Sequence, residues 1–178
     1  LKMRCAVTSL KCANGRVESI LLENGETLTA DRILSSAGYV ETMRLLSDYH
    51  SASFKHDVGR ISFMESIIVL DKEPAKMSYD TTVTFFNNSD RFDYRRPDEL
   101  VDVSSGVICC PNNFQFESPL PEGMLRITNL ANFDLWNRLG EKEYKAQKAG
   151  WLKATLKEVV KFVPDFRDSI IFTDILTP

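Results

Sequence analysis

The sequence has little cysteine and histidine, and neither residue is spaced as a metal site or a disulfide framework requires. Its four cysteines are Cys5, Cys12, Cys109 and Cys110. No C-x-x-C occurs, and the two histidines, His50 and His56, lie far from every cysteine along the chain, so no structural zinc site is expected. We therefore predict reduced thiols, no bound metal and a cytoplasmic location. The side chains of Cys109 and Cys110, neighbours on a predicted strand, should point to opposite faces.

Long hydrophobic runs and a strong net charge are also lacking. The apolar stretches, such as residues 66–70, are far shorter than the roughly 18 residues that span a bilayer. The net charge is −3, without the basic surface of a nucleic-acid-binding protein. No secretory signal pattern follows Leu1-Lys2-Met3, and the chain stops at Thr177-Pro178 in a predicted strand. We expect both ends to lie within a longer protein.

The common catalytic and nucleotide-binding motifs are missing. The sequence contains no G-x-G-x-x-G, no G-x-x-x-x-G-K-[ST], no G-x-S-x-G and no H-E-x-x-H. Aspartate and glutamate are scattered without a recognisable acid–base pair, and no motif surrounds either histidine. The sequence therefore leaves the catalytic residues unknown, and we expect His50 and His56 to be surface or capping residues.

What is present begins with strong hairpin signals in the first 38 residues. Asn14-Gly15 and Asn24-Gly25 each lie between apolar runs, the arrangement typical of tight two-residue turns. They predict a three-stranded antiparallel meander. Its strands are predicted at residues 4–11, 16–22 and 26–29. Residues 30–38 then predict a polar turn and a short apolar strand that ends in small residues. A helix should start just after Gly38, because residues 41–46 carry apolar side chains at helical spacing.

The rest of the chain combines further strands with one long helix. Strands rich in Ile, Val, Phe and Thr are predicted at residues 60–70, 81–86, 105–110, 124–131 and 169–175. Residues 87–102 alternate Asp, Arg and Glu and predict a solvated loop. This order of elements predicts an α+β fold, in which a β-meander is followed by a mixed, largely antiparallel sheet packed by helices.

The long helix is predicted over residues 141–163. Its expected buried face carries Leu152, Leu156, Val159, Val160 and Val163, which recur at helical spacing. Glu141 and Glu143 in the first turn and lysines toward the end complement the helix dipole. Pro164 is expected to stop the helix.

Aromatic residues concentrate in the strand-rich part. They are Phe63, Phe85, Phe86, Phe114, Phe116 and Phe133. We favour the interpretation that they form the core of the sheet. The alternative is the wall of an apolar ligand pocket, because such pockets are lined mainly by aromatic and aliphatic side chains.

Two groups of features combine in one order along the chain. The first is the meander, with Arg16–Leu22 between its Asn-Gly turns, followed by a run ending in Ser35-Ser36-Ala37-Gly38. The second is Tyr144 and Lys148 in the long helix, Pro164 and the closing Thr177-Pro178, a Y-x-x-x-K … P … TP pattern. Together they resemble the FAD-dependent oxidoreductases of the phytoene desaturase, carotenoid isomerase and amine oxidase group.

This resemblance implies a division of the chain and three cofactor contacts. Residues 1–38 would belong to the FAD-binding domain and residues 39–178 to the substrate-binding domain. Val7 would lie near the adenine end of FAD, and Ala37 and Gly38 would let the backbone approach the cofactor closely. Val7 could instead be plain strand core, and Ala37-Gly38 a tight turn into the helix. The group's Gly-rich phosphate-binding turn is missing, so the chain alone should neither hold FAD nor turn over.

The function implied is that of a flavoprotein oxidoreductase. The whole enzyme would transfer a hydride between a carbon–carbon bond of an apolar substrate and FAD, or isomerise a polyene such as a carotenoid. Expected partners are this apolar molecule, the remaining FAD-binding domain and a second copy of the chain, because uncovered apolar faces favour self-association. No nucleic acid or transmembrane segment is expected, and peripheral membrane contact stays open.

Two alternatives to that function remain open. One is a non-catalytic module that binds an apolar ligand or another protein through the aromatic sheet face. The other is a flavoprotein subunit that assembles with a separate nucleotide-binding chain.

Overall fold

The protein is represented by a computed structural model that describes residues 2–46 and 59–178. These fall into two compact units, divided between Gly59 and Arg60. His50 and His56 lie outside the described residues. The predicted passage from an FAD-binding to a substrate-binding domain after residue 38 concerns a longer protein and stays a prediction.

The first unit contains the predicted meander. Strands β1 (Val7–Ala13), β2 (Arg16–Leu22) and β3 (Thr27–Leu28) pair antiparallel in the order β1-β2-β3. The turn between β1 and β2 has positive φ at both central residues, 53° at Asn14 and 73° at Gly15. That backbone is the one that Asn-Gly pairs adopt readily, and it matches the twist of the two strands. The hairpin prediction is confirmed.

The short strand predicted within residues 30–38 is wrong. Residues 32–36 have no ladder partner, and Leu34 is 98% exposed. An apolar run becomes a strand only where another strand pairs with its backbone, and the described part of the first unit offers none here. Helix α1 (Tyr39–Arg44) begins directly after Gly38, as predicted.

The second unit is a five-stranded sheet with every pairing antiparallel. Its strands are β4 (Ser62–Leu70), β5 (Val83–Asn87), β6 (Val101–Cys109), β7 (Gly123–Ala131) and β8 (Ile170–Leu176). They lie in the order β5-β6-β7-β4-β8, so that β5 and β8 are the edges. The predicted α+β class, a meander followed by a largely antiparallel sheet packed by helices, is confirmed.

Helices cover one face of this sheet. The long helix α3 (Glu141–Val159) lies on that face, and a one-turn helix α2 (Phe133–Trp136) precedes it. The core beneath α3 joins Val159, Val163 and Phe166 to Ile68 and Ile127 of the sheet, all at most 7% exposed. The predicted buried face of the helix is therefore confirmed at Val159 and Val163. Leu152, Leu156 and Val160 are partly buried and pack at the margins of the core.

The helix is shorter than predicted. It ends at Val159 rather than Val163, four residues before the stop expected from Pro164. The proline ring would clash with the carbonyl four residues earlier, and proline also disfavours a helical backbone at the residue before it. The last turn is therefore lost, although Val163 still packs into the core. Helix α2 was not predicted. It is capped by Asn132, whose side chain accepts a hydrogen bond from Leu135 N.

Cys109 and Cys110 point to opposite faces, as predicted. Cys110 is 0% exposed within the core under α3, and burial, with a smaller effect from Cys109, raises its pKa to about 12. Cys109 is partly exposed on the other side of β6.

The difference in burial between the two thiols predicts that Cys109 reacts with an alkylating reagent and that Cys110 does not. At pH 8 a thiol with a pKa of about 12 is roughly one part in ten thousand thiolate, the form that reacts. Iodoacetamide should therefore modify Cys109 and leave Cys110 unmodified in the folded protein, as measured by peptide mass spectrometry. Both should react after denaturation. Equal labelling of the two in the folded protein would contradict this packing.

Candidate functional site on the open face of the sheet

The face of the five-stranded sheet opposite α3 is the candidate site. Side chains alternate along a strand. Met64 and Ile68 of β4 and Ile127 of β7 are buried beneath the helix, so the residue next to each of them on its strand points away from the helix. Strand register places these outward residues in rows, for example Phe85, Val107, Thr128 and Glu65. We call this surface the open face. Its central members are Phe63, Glu65, Phe85, Val107, Cys109, Arg126, Thr128 and Leu130.

Most of the predicted core aromatics are not in the core. Only Phe86 is buried, at 5% exposure, and its ring packs 4.9 Å from that of Phe162. Phe63, Phe85, Phe114, Phe116 and Phe133 are each at least 45% exposed. The favoured core interpretation is therefore wrong for these five. Phe85 and Phe86 are neighbours on one strand, so they must point to opposite faces, and only one of those faces is covered by α3.

The aromatic residues of the open face enclose a cleft. This first cleft has a volume of about 330 Å³, within the size range of small-molecule sites. Its floor is formed by β6 and β7, including Val107, Thr128 and Leu130. Its aromatic lining residues are Phe63, Phe85, Phe86, Phe92 and Tyr94. The walls are thus apolar, with a few polar groups, as ligand pockets typically are.

The loop of residues 87–102 contributes side chains to this cleft. This contribution was not predicted from the sequence. The loop was predicted to be solvated, and its charged residues from Asp90 to Glu99 are exposed. Phe92 and Tyr94, however, line the first cleft with ring centroids 6.2 Å apart. Their spacing of two residues was the available signal, but the dense alternation of charge around them concealed it.

A second, wider cleft lies further along the same two strands. It has a volume of about 820 Å³ and is lined by Cys109, Arg126, Phe114 and Phe116, among others. Cys109 and Arg126 are the next outward residues after Val107 and Thr128 of the first cleft. The two clefts are therefore neighbours on the open face. Asn113 Nδ2 donates to the carbonyls of Tyr79 and Thr81 at 3.0 Å each. These hydrogen bonds hold the start of the loop that carries Phe114 and Phe116.

An ion pair lies between the two clefts. Arg126 Nη2 donates to the Glu65 carboxylate at 2.7 Å, and this hydrogen bond raises the pKa of Arg126. The side chain of Glu65 is 22% exposed and that of Arg126 is 46% exposed. They place an ion pair beside the aromatic side chains of the two clefts.

The structure brings together the residues of the Y-x-x-x-K … TP pattern. The Tyr144 and Thr177 hydroxyls share a hydrogen bond of 2.8 Å, and Lys148 Nζ lies 5.7 Å from the Tyr144 ring centroid. Lys148 Nζ is also 3.7 Å from the Asp174 carboxylate. These contacts fasten the end of β8 to α3, so these residues help to hold the edge strand of the sheet.

The three residues expected near a cofactor all lie in the first unit. Val7 begins β1 and is 40% exposed, so it is not buried strand core. Ala37 is exposed, and Gly38 has φ 99° directly before α1. A cleft of about 220 Å³ in the same unit is lined by residues 16, 17, 30, 31 and 33, and none of the three lies in it. Leu10 N donates to Leu45 O at 2.7 Å and ties β1 to the end of α1.

No protein-family model matches the sequence, and no curated protein matches it. Within residues 2–46 and 59–178, no helix is long and apolar enough to cross a membrane. The same residues contain no cluster of three His, Cys, Asp or Glu side chains that could hold a metal ion.

Proposed function

We propose that this chain supplies the substrate-facing sheet of an FAD-dependent oxidoreductase similar to the phytoene desaturase, carotenoid isomerase and amine oxidase group. The whole enzyme acts on an apolar substrate, by hydride transfer to or from the flavin or by isomerisation of a polyene. The observation that carries the proposal is the open face, an aromatic-lined surface on a sheet whose opposite face is packed by helices. The resemblance predicts a sheet that floors the substrate pocket with helices behind it.

The exposure of the aromatic residues supports a ligand role for this face. Phe85 is 80% exposed and Phe63 is 46% exposed, although each could have been a polar residue at no cost to the core. Contiguous exposed apolar surface marks a ligand groove or an interaction site. Since the exposed rings line clefts of about 330 and 820 Å³, a small apolar ligand is the occupant we favour.

We propose that FAD contacts the chain at Val7, Ala37 and Gly38. Val7 and Ala37 are accessible, and Gly38 adopts φ 99°, a backbone that disfavours any residue with a Cβ. Small accessible residues of this kind fit a backbone that passes close to a flat cofactor. Bound FAD would supply the redox chemistry, and this chain would orient the apolar substrate and exclude water from it.

The proposed partners follow from this role. They are the apolar substrate, the remaining FAD-binding domain and, for the chain on its own, a second copy. Ile171, Phe172 and Leu176 on the edge strand β8 are each more than half exposed, which favours association of the isolated chain. We propose a cytoplasmic protein without a nucleic-acid partner, which can contact a membrane surface to receive its substrate.

Flavin retention tests the proposed function. The chain of 178 residues should bind FAD no more tightly than about 1 mM, because it lacks a phosphate-binding turn at a helix N-terminus. The chain extended at both ends by its neighbouring coding sequence should copurify with FAD and be yellow. In that extended protein Ala37→Leu should reduce the flavin content, because its side chain obstructs the close approach. Ala146→Leu, an exposed site on α3, is the matched control.

Failure of this test would favour the second candidate function. The aromatic clefts would equally suit a carrier of apolar molecules that has no flavin. An extended protein that is colourless and free of flavin, yet still binds an apolar ligand, would contradict the oxidoreductase proposal and support a carrier.

A further inference from the structure

The ion pair between Glu65 and Arg126 occupies an unusual place. It lies on the open face, at the junction of the first and second clefts, where it is the charged group among aromatic, aliphatic and uncharged polar lining residues. We infer that the ligand of this face carries an uncharged oxygen group, a hydroxyl or a carbonyl, part-way along an apolar body. This inference rests on the proposed function, because it requires that an apolar ligand occupies the clefts.

Strand register places the pair where an extended ligand must pass. Thr128, which lines the first cleft, lies directly opposite Glu65 on β4. Arg126, two residues along β7, lines the second cleft. A ligand that lies along β7 and reaches into both clefts therefore crosses the pair near its middle, with aromatic side chains of the two clefts at either end.

The hydrogen-bonding capacity of Arg126 favours an oxygen on the ligand. Arg126 donates to Glu65 through Nη2. Within the part of the chain that the structure describes, this leaves the Nε and Nη1 donors of Arg126 available. A pure hydrocarbon that covered the guanidinium would remove its water and return no hydrogen bond. Burying such a group without a partner is costly, whereas a ligand oxygen would restore the bond.

The charge of the pair favours an uncharged oxygen. Arg126 and Glu65 are 2.7 Å apart and together carry no net charge. A ligand carboxylate bound to Arg126 would meet the negative charge of Glu65 at short range. A hydroxyl or carbonyl accepts from Arg126 without that repulsion, and a hydroxyl can also donate to Glu65.

Displacement of a fluorescent hydrocarbon tests this inference. Diphenylhexatriene, a rod-shaped conjugated hydrocarbon, reports occupancy of the clefts in the wild-type chain. Four competitors of equal chain length are compared. They are a symmetrical long-chain ketone, the corresponding secondary alcohol, the alkane, and an acid that carries its carboxyl group on the middle carbon of the chain. We expect the ketone and the alcohol to displace the probe at about tenfold lower concentration than the alkane or the carboxylate, a ratio worth about 1.4 kcal/mol.

Three variants test whether the preference for the ketone and the alcohol depends on the ion pair between Glu65 and Arg126. Arg126→Met should remove the advantage of the ketone over the alkane and strengthen binding of the probe, because a hydrocarbon ligand then no longer covers a guanidinium. Arg138→Met, an exposed arginine outside both clefts, should leave the advantage unchanged. Glu65→Gln should keep the advantage of the ketone and improve binding of the carboxylate, because the negative charge is gone.

The outcomes separate this inference from the proposed function. If the probe does not bind, the proposed function fails and the inference falls with it. If the probe binds but the wild-type chain treats alkane and ketone alike, or prefers the carboxylate, the inference is overturned while the apolar site stands. Because that comparison uses the wild-type chain, it remains decisive even if a variant does not fold. A preference that persists in Arg126→Met would also overturn it.

Discussion

Replacing Gly123 with alanine should lower the free energy of unfolding of the second unit by about 3 kcal/mol. A Cβ at this position would lie 2.0 Å from the Lys72 carbonyl oxygen and 3.0 Å from the Leu70 Cβ. Leu70 pairs with Gly123 at the end of the ladder between β4 and β7. Because the obstructing atom is the backbone carbonyl of Lys72, two residues beyond the end of β4, that segment and the adjoining strand ends must shift, and the core on the covered face is disturbed with them.

Gly150→Ala is the matched control. Gly150 lies inside α3, and a Cβ there would meet no heavy atom within 4 Å. Alanine should therefore raise the free energy of unfolding by about 0.5–1 kcal/mol, the difference in helix propensity between the two residues. Urea unfolding followed by circular dichroism measures both variants. A Gly123→Ala protein within 0.5 kcal/mol of wild type would contradict the close passage of the two strands.

Placing a charge on the floor of the first cleft should weaken the binding of an apolar ligand at least tenfold. Val107→Arg sets a guanidinium between Phe85 and Thr128 in the same row of the open face. The charged group fills the cleft, and an apolar ligand would have to remove its water without replacing the lost hydrogen bonds. We expect the affinity for diphenylhexatriene to fall by at least tenfold.

Ile171→Arg is the control for that variant. Ile171 is 61% exposed on the edge strand β8 and lines neither cleft. It introduces the same side chain on the same sheet and should leave the affinity within about twofold. Circular dichroism confirms that both variants fold. Equal losses of binding in the two would show that the probe binds elsewhere.

Local signals predicted much of the fold. The turn at Asn14-Gly15 determines β2, whose observed bounds of Arg16–Leu22 match the prediction, because this dipeptide readily adopts the positive φ values that the turn needs. The start of α3 at Glu141 was likewise predicted, since the acidic first turn and the apolar spacing agree. Both signals act over a few residues and need no knowledge of the rest of the chain.

The bounds that sequence reasoning missed depend on distant partners. Strand β6 begins at Val101, four residues before its predicted start, and its pairing with β7 is irregular between Asp102 and Val107. There the Asp102 carboxylate accepts from Ser104 N and from the Ser105 hydroxyl, each at 2.9 Å. These polar residues look like a loop in the sequence, yet their side chains support an irregular strand.

The candidate site was predicted only in outline. Alternation along a strand shows that Phe85 and Phe86 point to opposite faces, but which face a helix covers is decided by tertiary packing. The pair formed by Glu65 and Arg126 lies 61 residues apart in sequence and depends on the register of β4 against β7. No local pattern contains that register, so the polar junction between the clefts could not be predicted.

Energy transfer from the bound probe to the flavin tests the central proposal most directly. In the protein extended at both ends, diphenylhexatriene bound to the open face emits where oxidised flavin absorbs. Our account predicts that the probe binds the flavin-free protein and fluoresces, and that added FAD strongly quenches this emission while Val107→Arg removes the signal altogether. FAD that binds without changing the emission of bound probe would contradict a sheet that holds its substrate against the flavin.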